Sequence, residues 1–99
     1  MMKWILVSVF EREIQARGFE THEEARREML CQLREEYLQS VEGYDMQERL
    51  DYEKMWDSIA ENAEYNDGDI GFDGFSAYSN LDSSRNCDWK IFSTGEIWW

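Results

Sequence analysis

Residues 4–10, Trp-Ile-Leu-Val-Ser-Val-Phe, form an apolar run of strand length, and Glu11, Arg12 and Glu13 cut it off at once. A run so rich in β-branched and aromatic types suits a strand in a sheet with at least one face covered. The rest of the chain must supply that cover. The abrupt charges, with no small-residue cleavage pattern, make the run a buried strand and not a secretory leader. No other stretch approaches the roughly 18 apolar residues of a membrane span, so a soluble, cytoplasmic protein is expected. Residues 11–20 either extend the strand or fold back, because no Pro or Asn-Gly turn decides between the two.

Two helices are the expected cover. Thr21 stands three residues before Glu24, the reciprocal capping pattern of a helix start. Ala25, Met29, Leu30, Leu33, Tyr37 and Val41 then recur at three and four residues and make one wide apolar stripe. Gly43 is the expected stop. Asp45 and Glu48 repeat the start signal, and Tyr52, Met55, Trp56, Ile59 and Ala63 form a second stripe. Met46 and Leu50 project to the opposite side of that wheel. Either this helix begins later than its cap indicates, or its first turn packs against something else. Residues 66–74, with three glycines, read as loop or tight turns. Strands near 72–79 and 88–93 follow, with Trp89 and Ile91 pointing one way and Lys90 and Phe92 the other.

A chain of 99 residues supports one core. The expectation is a single α+β domain over 1–99: two layers in β-α-α-β-β order, with a small three-stranded sheet and two helices on one face. Trp4, Phe10, Trp56, Phe72, Phe75, Tyr78, Trp89 and Phe92 are enough aromatics to fill that core. Cys31 and Cys87 belong to no CxxC pair and read as reduced, at least partly buried thiols.

The formal charge is −12, and it is not evenly spread. Residues 42–73 hold eleven acids against two bases, so −9 lies within 32 positions. An apolar share of 42% separates the chain from disordered acidic tails. Such a charge repels phosphate backbones and anionic lipid, which excludes direct nucleic-acid or membrane binding through a basic face and favours basic partners. Glu53, Asp57, Glu61 and Glu64 follow at steps of four, four and three, a row opposite Tyr52, Trp56, Ile59 and Ala63. Helical rise separates successive members by about 4.5 to 6 Å, the scale of phosphate spacing along a nucleic-acid strand. Like charges one turn apart cost about 0.2–0.5 kcal/mol each in an isolated helix. The row is either a solvated, solubilising face or a surface that imitates nucleic acid, with Asp67, Asp69 and Asp73 extending it. Trp98 and Trp99 either dock back on the sheet or anchor a partner beside it.

Other chemistry is thinly supported. With Asp69 as first ligand, Asp73 and Gly74 fit a calcium loop, but Gly71 and Asn80 occupy ligand positions there. No cofactor or metal is therefore expected. His22 has no Ser or Cys near it in sequence, so no catalytic residue is expected either. Arg12, Arg17 and Arg26 with the aromatics could form a pocket for a small nucleotide-like molecule, although no glycine-rich phosphate loop accompanies them.

In size, in the acidic tract over 45–73 and in lacking a catalytic motif, the chain resembles the small acidic anti-defence proteins of phages and mobile elements, notably anti-CRISPR proteins that mimic DNA. The resemblance lies in composition and implies no particular fold. It implies a non-enzymatic inhibitor in the cytoplasm of a bacterial host. Such a protein would bind the basic nucleic-acid groove of a nuclease, a CRISPR effector foremost. The alternatives are a module that sequesters a small nucleotide-like signal and, behind it, a metal-dependent enzyme.

Overall fold

The computed structural model of the chain describes residues 3–10, 13–39, 45–82 and 85–94. Six strands and two helices follow in the order β1 (Trp4–Phe10), β2 (Glu13–Phe19), α1 (His22–Gln39), α2 (Met46–Ala60), β3 (Tyr65–Asn66), β4 (Ile70–Phe72), β5 (Ser76–Asp82) and β6 (Arg85–Ser93). The strands form one antiparallel sheet in the order β2-β1-β6-β5-β4-β3. The α+β class stands. The three-stranded sheet and the β-α-α-β-β order are overturned: residues 13–19 take the fold-back alternative and form β2, β3 and β4 arise in the segment read as loop, and the strand expected near 72–79 is interrupted between Phe72 and Ser76.

Each added strand hides its signal for a physical reason. Residues 13–19 fold back on β1, with Trp4 opposite Phe19 and Phe10 opposite Glu13. As an edge strand, β2 exposes Glu13 to Arg17 and so carries a polar sequence. The segment read as loop folds as a tight hairpin. Gly68 takes φ 90°, a left-handed conformation that suits glycine. Asp67 Oδ1 accepts from the N–H groups of Asp69 and Ile70 at 2.8 Å each. Within β4, Gly71 lies directly opposite Tyr78, and a Cβ there would stand 2.3 Å from the tyrosine ring. That ring covers the bare glycine and its hydroxyl donates to Asn66 Oδ1.

Both helices contact the same sheet face. From the sheet, Leu6 and Ser8 of β1, Cys87, Trp89 and Ile91 of β6, Ala77 and Ser79 of β5, and Ile70 and Phe72 of β4 are buried. Ala25, Met29, Leu33 and Tyr37 of α1 meet them, as the stripe predicts, while Val41 and Gly43 lie outside the described residues. The aromatic core is smaller than expected. Trp56, Phe72 and Trp89 are buried, but Phe75 is exposed, and Tyr78 and Phe92 are half-buried on the opposite sheet face. Cys31 is exposed on α1 and Cys87 is buried, with no disulfide between them, so only one thiol fits the expected burial. No described helix is long and apolar enough to cross a membrane.

One polar link crosses this apolar interface. Gln32 Oε1 accepts from Ser8 Oγ and from Trp89 Nε1, both at 2.8 Å. Its amide donates to Glu28 Oε1, which also pairs with Arg17 at 3.4 Å. Gln32 thus fixes the placement of α1 over β1 and β6. Gln32→Leu removes the acceptor from two buried donors, at about 1–3 kcal/mol for each group left unsatisfied. Urea denaturation is expected to show a loss of about 2–4 kcal/mol. A loss below about 0.5 kcal/mol would mean that both donors find other acceptors.

Candidate functional site

Helix α2 begins where its sequence cap places it. Asp45 has extended geometry, and its carboxylate accepts from Glu48 N–H at 2.9 Å. The helix ends at Ala60, with Glu61 as C-cap, and the Asn62 amide donates back to the carbonyls of Ser58 and Ile59. Arg26 of α1 reaches the carbonyls of Asn62 and Ala63 at 3.3 Å, with its guanidinium 5.7 Å from the Phe72 ring centre. A cation there complements the negative end of the helix dipole. No basic residue occupies the last turn of α2 itself.

The helix is held by one deeply buried side chain, Trp56, 5.6 Å from the Tyr37 ring and 6.5 Å from that of Phe72. Tyr52, Ile59 and Ala60 add partial burial, whereas Met55, expected within the apolar stripe, is exposed. The remaining circumference faces solvent. There the side chains of the first two turns stand outward, Met46 78% and Leu50 44% exposed. At 3.6 residues per turn, Met46, Leu50, Glu53, Asp57 and Glu61 fall within an arc of about 80°. The exposed ridge is therefore apolar at its N-terminal end and acidic at its C-terminal end. Its sequence signal was the displacement of Met46 and Leu50 from the buried stripe.

The structure sorts the expected site residues. Asp57 and Glu61 are exposed and Glu53 is half-buried, and none of the three has an ion-pair partner among the described residues. Glu64 is exposed but lies beyond the helix, so it does not continue the row in helical register. Asp67 and Asp73 are turn-formers as well as surface charges. Both oxygens of Asp67 accept hydrogen bonds, Oδ2 from the Tyr65 hydroxyl. Asp73 Oδ1 accepts from Phe75 N–H, Ser76 N–H and Ser76 Oγ. Asp69 is exposed, and its backbone carbonyl accepts from Asn80. Trp98 and Trp99 lie outside the described residues.

For both turn aspartates, partial desolvation pushes the pKa up, and the hydrogen bonds to the carboxylate outweigh it, so each falls below the ordinary 3.8. The stability they supply is present above the unfolded-state value and is lost as pH falls through the lowered folded-state value. Asp67→Asn and Asp73→Asn, which keep an acceptor oxygen, are expected to flatten the loss of stability below about pH 4. Urea midpoints at neutral and acid pH check this, and an unchanged acid slope would contradict it.

The other candidates are committed elsewhere. The His22 ring lies 4.6 Å from that of Phe75 and 5.1 Å from that of Trp4, and its Nε2–H donates to the Gly74 carbonyl. Arg17 pairs with Glu28 and Arg26 bonds the carbonyls of Asn62 and Ala63 just beyond α2, while Arg12 lies outside the described residues. The cleft beside Arg26 and His22 is lined by Glu61, Glu64 and Asp73 as well, a poor setting for a phosphate. Among the described residues, no three His, Cys, Asp or Glu side chains cluster as metal ligands. No protein family, curated protein or solved structure matches the chain.

Proposed function

We propose that the chain is a non-enzymatic binding protein that lays α2 in the basic nucleic-acid groove of a partner and so keeps nucleic acid out. Glu53, Asp57 and Glu61 stand where phosphates would lie, and Met46 and Leu50 seat the N-terminal end of the helix. The observation that carries this reading is the ridge itself: carboxylates with no ion-pair partner among the described residues and exposed apolar side chains share one face of a helix anchored chiefly by Trp56. Solubility needs charge scattered over the surface and gains nothing from an exposed Met and Leu beside it. Charge focused on one side steers the protein toward a basic groove. Acids at the end of α2 also oppose the helix dipole, each at about 0.3–1 kcal/mol, a cost that folding alone would remove.

A CRISPR effector nuclease is the foremost partner class, because the chain resembles anti-CRISPR proteins in composition. The test is displacement. Purified effector nucleases are loaded with a labelled duplex, and the chain is titrated in at low salt. The expected result is stoichiometric release of the duplex from at least one of them. A complex that holds both the duplex and the chain would contradict the proposal. The alternative of a small nucleotide ligand predicts instead that the chain alone binds nucleotides in calorimetry.

A further inference from the structure

The sheet ends differently on its two sides. At one side β3 is two residues long, and shortness protects it from pairing. At the other side β2 offers seven residues without Pro, and no described strand covers its outer edge. Residues 13–17 are exposed, Ile14 at 73%. An uncovered edge of this length is a template for another strand.

The charges on this edge select the partner. Glu13 and Arg17 stand two residues before and after Gln15, with opposite signs. In an antiparallel pairing of two copies centred on Gln15, Glu13 faces Arg17 of the partner subunit, and the same pair recurs on the other side of the axis. Ile14 then faces Ala16 of the partner subunit on the uncovered sheet face, continuing the side of Val9 and Val7, their cross-strand neighbours in β1. A two-fold interface has to be self-complementary in this way. The described part of β2 carries no net charge, although the chain carries −12. Screening over about 8 Å at physiological salt leaves the distant acids little influence there.

We infer that two copies of the chain pair through β2 and join their sheets into one of twelve strands. This goes beyond the groove-binding reading and stands without it. Sedimentation equilibrium of the full chain at physiological salt is expected to give about twice the monomer mass of 11.9 kDa. Glu13 has no ion-pair or hydrogen-bond partner among the described residues, so Glu13→Arg leaves the fold intact by circular dichroism. It is expected to weaken the dimer about tenfold or more, as cross-strand attraction becomes repulsion. Arg17→Glu should do the same, at the cost of the exposed pair with Glu28. Mixing the two single variants, or combining both changes in one chain, should restore association. A wild-type chain that stays monomeric overturns the inference. So does a dimer indifferent to either reversal, or reversals that mixing does not rescue.

Discussion

Replacing Glu53, Asp57 and Glu61 together by Lys is expected to weaken binding to a basic groove on the order of 100-fold, mainly through slower association. The three side chains reach solvent or its margin and support no described ion pair, so the variant should keep its fold. Removing like-charge repulsion along one helix face should even raise its stability slightly. A neutral triple Gln variant should fall between the two, since it loses attraction without adding repulsion. Met46→Ser with Leu50→Ser tests the other end of the ridge. Its effect should appear in the dissociation rate, because apolar contact holds a complex that charge has steered together. Full binding by the Lys variant would remove the basis of the proposal.

Trp56→Ala is the second large effect. The ring is 4% exposed and lies between Tyr37 of α1 and Phe72 of β4. Truncating a buried tryptophan costs about 3–5 kcal/mol through lost burial and the cavity left behind. For a domain of this size that lowers the melting temperature by roughly 10–30 °C. No other side chain of α2 is buried to this degree, so the loss falls on the docking of one helix. Binding should fail with every carboxylate still present. Trp56→Phe keeps an aromatic ring and should recover much of both properties. A stability loss of under about 1 kcal/mol for the alanine variant would show that α2 is held elsewhere.

The sequence signals that survived folding are those where local chemistry and tertiary burial agree. Ala25, Met29, Leu33 and Tyr37 repeat at helical spacing because the α1 face they share meets the sheet. Asp45 caps α2 with its own side chain, and Trp89 and Ile91 alternate with Lys90 because only one sheet face carries helices. The failures have equally local causes. An edge strand such as β2 needs no apolar face, and strands of two and three residues vanish into the glycine and aspartate that turn them. The acidic row was readable from spacing. The double duty of Asp67 and Asp73 was not, because a carboxylate that builds a turn and one that meets a partner are the same letter. Met46 and Leu50 break the apolar stripe of α2 because they stand on its exposed side.

The salt dependence of the complex tests the central claim most directly. Affinity for a nuclease that releases its duplex should be measured for the wild-type chain and for the triple Gln variant over a range of salt concentrations. If the carboxylates of α2 take the place of phosphates, log affinity should fall steeply and linearly with log salt for the wild type. The slope should be shallower by roughly one for each carboxylate removed. Parallel lines for the two proteins would contradict the account, because the charge on α2 would then take no part in the contact.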